Sequence, residues 1–516
     1  MSRKLLWILV AAFVLVCSMP KARAQSDDTL QLFKKYWSTY KDTPSRVEAI
    51  LTLEGKEDLG VVDVLVPKLK DPETEVVRAA VRVLAAFKTR PPVDALLAQL
   101  KNDKTEAVRT GILRAIADGK YKDVQAGVLP CLGDKPWEVR RRAIQALAAS
   151  GDAEQAKVIA PLCADAEPAV RGEALDALVK WKSPLAVEPA LKLLNDSVWQ
   201  VRQSAITALT RIRSKDAVEP LILRIEKEEG VLVPEIAEAL ANLTGQEFGG
   251  KPDKWKEWWA ANKANYALPD EGAIAYLRAK REAKTGDAKV RDYAKSGVVK
   301  YHGIDTPSRS IMFVIDCSGS MESLVVEKER FQDGNYPSLA RIDIVKTELQ
   351  RTIDHLEPFV NFNIIAFATD VDPWKKKLVP ANILNKSEAK SWAGHLSAIG
   401  GSSKEDLVSV GLVGSGNLEK GKTNTYGALM AALNVTGGPK TGDKNYTVDV
   451  DTVFFLSDGR PTVGDFVDPD DILREIRSVN ELRKVKIHTI AIGEFQKDFM
   501  RKIAEQNGGT FVDLGK

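Results

Sequence analysis

From Asp71 onward the chain repeats itself about every 31 residues, and no other feature restricts its fold as strongly. Asp71, Asp103, Asp134, Asp165 and Asp196 are separated by 32, 31, 31 and 31 residues, and each is followed five positions later by Val76, Val108, Val139, Val170 or Val201. Four residues further stand Ala80, Ile112, Ala143, Ala174 and Ala205, and four beyond those Leu84, Ile116, Leu147, Leu178 and Leu209. An i, i+4, i+8 apolar stripe is one face of an amphipathic helix. The segments before each Asp, such as 93–100 and 187–194, are also apolar at helical spacing. Each unit is therefore expected to be a helical hairpin, with its Asp in the turn, able to cap the next helix. One hairpin cannot bury its stripe; a stack of them forms a continuous core and an extended surface.

These units resemble the short bacterial form of HEAT repeats, also called lyase-like, over about residues 45–245. Five units are clear, and a weaker sixth around 232–240 lacks the Arg seen in units two to five. Arg109, Arg140, Arg171 and Arg202 recur at one register; pairing with turn aspartates or covering helix ends accounts for them, with a basic binding ladder as the alternative. Phe33, Tyr36, Trp37 and Tyr40 before the repeats, and Trp255, Trp258 and Trp259 after them, fall at helical spacing and read as capping helices. The expected solenoid is a scaffold or docking surface, able to hold a second protein.

Charge and composition exclude several classes. The 74 basic and 71 acidic residues leave a formal charge of +3, too balanced for a nucleic-acid footprint. The four histidines, His302, His355, His395 and His488, never pair at i, i+4, so the zinc-helix spacing of a metalloprotease is absent. Arg3 and Lys4, the apolar run 5–16 and Ala22-Arg23-Ala24 have the pattern of an export signal ending at residue 24. Stretched to Met19, that run spans roughly 22 Å as a helix, against about 30 Å of hydrocarbon, too short for a stable transmembrane anchor. An exported bacterial protein, periplasmic or extracellular, is expected. Cys131, Cys163 and Cys317 of the mature chain are odd in number and imply buried free thiols more than a disulfide framework.

After Pro307 the grammar changes. Short β-rich runs at 311–315, 363–367, 452–456, 486–492 and 510–514 alternate with helical patterns at 342–356, 426–433 and 472–483, the signature of a doubly wound, mostly parallel sheet. The domain layout is a signal peptide (1–24), an all-α solenoid (25–262), a charged and partly helical linker (263–307) and an α/β domain (308–516).

The first strand runs directly into Asp316-Cys317-Ser318-Gly319-Ser320. In open α/β sheets ligands bind at the carboxyl ends of strands. On its own, Asp-x-Ser-x-Ser also suits a turn that caps a helix. Gly421-Lys422-Thr423-Asn424-Thr425-Tyr426-Gly427 opens a later helix, and a further strand ends in Ser457-Asp458-Gly459. Together the three motifs resemble a von Willebrand factor type A domain over roughly 308–516. The resemblance implies that Asp316, Ser318, Ser320, Thr423 and Asp458 form a metal-ion-dependent adhesion site. Gly400-Gly401-Ser402 could be mistaken for the Thr423 motif, but Tyr426-Gly427-Ala428-Leu429 favours Thr423. Two carboxylates and three hydroxyls are hard donors, so Mg²⁺ is the first choice, with Mn²⁺ or Ca²⁺ also compatible.

By that resemblance an acidic residue of a protein ligand completes the metal shell. Long segments at 322–341 and 400–422 border the site and either read partners or are disordered. The expected function is a non-enzymatic, exported binding and scaffold protein. The alternative is a metal-dependent hydrolase or phosphoryl-transfer enzyme, for which no nucleophile–base pair stands out. An ATPase-associated adaptor would need cytoplasmic nucleotide, against which the signal peptide argues.

Overall fold

The computed structural model describes residues 28–285, 298–399, 421–433, 449–493 and 497–515. The expected signal peptide and residues 400–420 of the second insertion lie outside the described residues. Those up to Pro189 form one compact unit and those from Ala190 onward another.

In the first unit the helices carrying the repeating stripe are Thr74–Leu84, Glu106–Asp118, Trp137–Ser150 and Pro168–Lys180, and each packs on the next. Their stripe residues Val76, Ala80, Leu84, Val108, Ile112, Ile116, Val139, Ala143 and Leu147 are buried. Several preceding helices are broken: Leu59–Leu65, Gln125–Val128 and Ala156–Ile159 each pass into a 3₁₀ turn that has Pro67, Pro130 or Pro161 near its start. Proline has no N–H for the α ladder and closes off the preceding turn. The recurring aspartates stand in the turns as expected. Asp103 accepts from Thr105 N at 2.7 Å and Asp165 from Glu167 N at 2.8 Å.

The recurring arginines are structural. Arg140 donates through Nε and Nη2 to Asp165 at 2.8 and 2.7 Å, and through Nη1 to the carbonyls of Asp134 and Lys135 at 2.8 and 3.0 Å. Arg109 makes the equivalent pair with Asp134. In the second unit Arg202 pairs with Glu228 at 2.9 Å, a glutamate standing in for the aspartate. Both expected caps are helical. In helix 28–39 Leu30 and Phe33 are buried, while Tyr36 stacks near the surface on Tyr40, the residue just past the helix. Helix Pro252–Asn262 buries Trp255 edge-on against Phe248, its indole N–H donating to Gly249 O at 2.9 Å.

The strands of the C-terminal α/β domain are β1 (Val299–Tyr301), β2 (Ile304–Thr306), β3 (Ser310–Asp316), β4 (Asn361–Phe367), β5 (Val371–Pro373), β6 (Val379–Pro380), β7 (Thr452–Ser457), β8 (Lys486–Ala491) and β9 (Phe511–Asp513). Its mostly parallel sheet is ordered β5-β4-β3-β7-β8-β9, with β6 paired to β4. Side chains of β3 alternate strictly. Ile311, Phe313 and Ile315 join a core with helices Arg341–His355 and Ile383–Gly394, whereas Met312 and Val314 join another with Thr425–Ala432, Pro469–Arg483 and Lys497–Gln506. Burial on both faces is why these strands read as continuous apolar runs.

Part of the expected linker is ordered. Residues 271–285 are helical, and β1 and β2 form an antiparallel hairpin. Tyr301 of that hairpin is 1% exposed, edge-on to Phe313 and Phe454 at 5.2 and 5.3 Å. Within the second unit, Lys486 Nζ lies 2.8 Å from Glu235 of the last repeat helix, Leu232–Thr244, and Arg309 lies 3.6 Å from Glu229. Lys486 starts β8 and Arg309 precedes β3, so these pairs mark the sheet edge opposite the strands' carboxyl ends.

Candidate metal centre

β3 has β4 on one side and β7 on the other, so the chain's winding direction reverses at β3, and the crevice of an open sheet lies at that point. The structure brings all five expected donors there. Asp316 ends β3, Ser318 and Ser320 follow in its turn, Thr423 precedes helix Thr425–Ala432, and Asp458 follows β7.

The donors are tied together. Ser318 N donates to Asp316 Oδ1 at 2.8 Å, the Ser318 and Ser320 hydroxyls are 3.2 Å apart, and Ser320 Oγ donates to Asp458 Oδ1 at 2.7 Å. Thr423 stands beside them: a Cβ placed on Gly459 would lie 3.3 Å from Thr423 Oγ1 and 3.6 Å from Ser320 Oγ. The missing side chain at Gly459 leaves both hydroxyls room. Thr423 is fixed by backbone contacts, its N–H donating to Thr462 Oγ1 at 2.8 Å and its carbonyl accepting from Thr462 N at 3.0 Å. Gly319 N donates to Gly421 O at 3.0 Å, joining the first and second motifs. Asn424 caps the following helix by accepting from Gly427 N at 2.9 Å. Gly400-Gly401-Ser402 lies outside the described residues, although Ile399 N beside it donates to Cys317 O at 2.9 Å.

Asp316, Ser318, Thr423 and Asp458 are buried, and Ser320 is exposed. The donor set therefore opens to the surface at Ser320. Burial, and then the negative charge of the neighbouring Asp458, push the Asp316 carboxyl well above the usual carboxylate range, because both disfavour its ionised form. Such a pocket suits a small, hard cation. Among the described residues no group of three His, Cys, Asp or Glu side chains could hold a metal, so hydroxyls must complete any shell here.

Two contacts were not read from the sequence. Ser457 Oγ donates to Asp316 Oδ2 at 2.5 Å, and Arg341 Nη1 donates to Asp458 Oδ2 at 2.6 Å. Cys317, next to Asp316, packs into the core, and burial pushes its thiol well above the usual range. Burial of this kind disfavours the thiolate that a nucleophile needs. The first insertion is ordered. Val325 N donates to Leu339 O at 3.0 Å, Phe331 is buried against Tyr336, and Tyr336 Oη donates to Glu348 at 2.8 Å. Leu324 and Val326 of this segment are exposed at 52% and 57%, which puts two apolar side chains within six residues of Ser320.

The C-terminal part is thus a doubly wound domain with oxygen donors gathered at its switch point, preceded by a helical repeat array. A model of HEAT repeats matches residues 38–117, 93–178 and 156–241. A model of the von Willebrand factor type A domain matches 334–409 and 413–513, a range that includes Arg341, Thr423 and Asp458 and begins after Asp316, Ser318 and Ser320. The protein carries HEAT repeats in its N-terminal part and a von Willebrand factor type A domain in its C-terminal part. Human inter-alpha-trypsin inhibitor heavy chain H4 is 28% identical over 208 residues, 40% of this chain and 18% of its own length. The mouse heavy chain 4 is 23% identical over 294 residues, 55% of this chain and 26% of its own length. Human von Willebrand factor A domain-containing protein 3A is 26% identical over 172 residues, 32% of this chain and 11% of its own length. The match thus spans no more than 26% of the length of these relatives.

Proposed function

We propose that this is a non-enzymatic binding protein whose C-terminal domain holds one divalent cation, Mg²⁺ first, on Asp316, Ser318, Ser320, Thr423 and Asp458, and captures an acidic group of a protein ligand there. The observation that carries this reading is the convergence of two buried carboxylates and three hydroxyls from three separate segments on one sheet edge, with the exposed hydroxyl of Ser320 at its mouth. Hard oxygen donors of this kind suit Mg²⁺ or Mn²⁺. When bound, the cation supplies a Lewis-acidic position that a partner carboxylate can occupy. The chain's own residues contact the donors from behind: Thr462 fixes Thr423, Ser457 fixes Asp316, and Arg341 pairs with the second oxygen of Asp458.

The family match and the heavy-chain relatives support an interaction role. The apolar Leu324 and Val326 favour a ligand whose acidic residue has apolar neighbours. The repeats offer a second protein surface. Export follows from the leader pattern of residues 1–24. Among the described residues no helix is long and apolar enough to cross a membrane. Partner capture from envelope or culture extract, with wild type and Asp316→Ala compared with and without a chelator, tests the reading. Capture by the wild type that persists in the chelator would contradict it.

A further inference from the structure

Arg341 enters the site from an element that none of the five donors uses. It is the first residue of helix Arg341–His355, its backbone N–H donates to Ser323 O at 3.0 Å, and it is only 8% exposed. Its Nη1 lies 2.6 Å from Asp458 Oδ2 and 3.5 Å from the Ser320 carbonyl, and would lie 3.3 Å from a Cβ placed on Gly493. A basic residue at a helix N-terminus opposes the helix dipole, and burying a guanidinium costs more still unless a partner charge compensates. Both costs are met at Asp458. That carboxylate is thereby divided: Oδ2 belongs to Arg341, and Oδ1, which accepts from Ser320, faces the hydroxyls.

We propose that Arg341 sets the charge of the cation site, weakening its hold on the cation and making a carboxylate its preferred incoming ligand; this rests on reading the site as a divalent-cation site. Among the described residues in contact around these donors, the buried ionic groups are Asp316, Asp458 and Arg341. With both carboxylates ionised, they sum to one negative charge. A dication raises the pocket to one positive charge, and a single carboxylate from outside brings it to neutrality. Without Arg341 the dication alone would neutralise the pocket, and an incoming carboxylate would leave an excess negative charge in a poorly solvated site, where charge imbalance is costly. Arg341 is thus a positioning and specificity residue acting through Asp458.

Mn²⁺ binding followed by electron paramagnetic resonance on the full chain, with acetate titrated onto the Mn²⁺-loaded protein by water-proton relaxation, tests this. Arg341→Met should bind Mn²⁺ about tenfold more tightly and acetate about tenfold more weakly than wild type, while Arg341→Lys should match wild type in both. A purely structural role would instead weaken Mn²⁺ in the Met variant. Should Arg341→Met lack a cooperative thermal transition, Arg341→Gln carries the same expectation. Mn²⁺ affinity that is unchanged or weaker in the uncharged variant, or acetate affinity that does not fall, overturns the proposal. No Mn²⁺ binding by the wild type overturns the cation-site reading beneath it.

Discussion

That Asp316, Ser318, Ser320, Thr423 and Asp458 would lie together was legible through the resemblance to a von Willebrand factor type A domain; the strand-end position of Asp316 to Ser320 alone also suited a turn that caps a helix. The contacts of Ser457 and Arg341 were not: Arg341 is 117 residues from Asp458, and only tertiary folding makes them neighbours. A basic residue opening a helix, against the dipole, was the one sequence signal for it. At this scale the hydroxyl of Thr423 should matter more than its methyl. Thr423→Ser should keep cation affinity within about threefold of wild type, whereas Thr423→Val should lower it at least tenfold, about 1.4 kcal/mol, measured by calorimetric Mg²⁺ titration. Equal affinities for the two variants would remove Thr423 from the donor set. The buried thiols of Cys131 and Cys163, pushed up by burial to about 11 and about 12, should react with a thiol reagent only after unfolding. Rapid labelling of the native chain at either position would contradict their burial.

The repeat helices were fully legible, since a 31-residue period with a fixed apolar stripe admits one solution. Their partners were less so. The proline breaks Pro67, Pro130 and Pro161 lie within apolar segments that read as continuous, and helices Ile383–Gly394 and Lys497–Gln506 were not foreseen. Arg140 joins one repeat to the next, with its side chain 14% exposed and that of Asp165 9% exposed. Arg140→Ala should therefore destabilise the repeats by about 1–3 kcal/mol, because it removes the paired charge from a largely buried carboxylate that keeps only the Glu167 N–H, and takes the side-chain donor from two carbonyls. Urea unfolding measures this, and a loss under about 0.5 kcal/mol would place the pair among ordinary surface bridges. In β8, His488 stacks on Phe454, and its Nδ1 accepts from Thr510 N at 2.9 Å. Burial, with a smaller push from Lys486, lowers its pKa from 6.5 to about 4. The folded state thus favours neutral imidazole. Its contribution is complete above pH 6.5, erodes as pH falls and levels off near pH 4, a loss of the order of 3 kcal/mol. Denaturant melts of wild type and His488→Phe across that range should show a flatter acid limb in the variant; identical pH profiles would exclude His488 as the cause.

For the whole molecule, the change from repeat grammar to strand grammar was readable, and we propose that the second domain starts before Pro307. Residues 299–306 look like the end of a charged linker because the hairpin is only two short strands, yet Val299, Tyr301 and Ile304 belong to the core of the α/β domain. A fragment starting at residue 298 should fold, since its two cores are closed by its own residues and the ion pairs to Glu235 and Glu229 are the partly exposed kind worth about 1 kcal/mol or less. One starting at 308 loses Tyr301 and should be less stable by several kcal/mol, on the order of a large-to-small core substitution. Comparable thermal midpoints for the two fragments would return the boundary to Pro307. The account stands or falls on the cation. Isothermal calorimetry of the full chain with Mg²⁺ or Mn²⁺ should show a single site in the wild type and none in Asp316→Ala, with the circular dichroism of the repeats unchanged. Cation affinity retained in Asp316→Ala would contradict it.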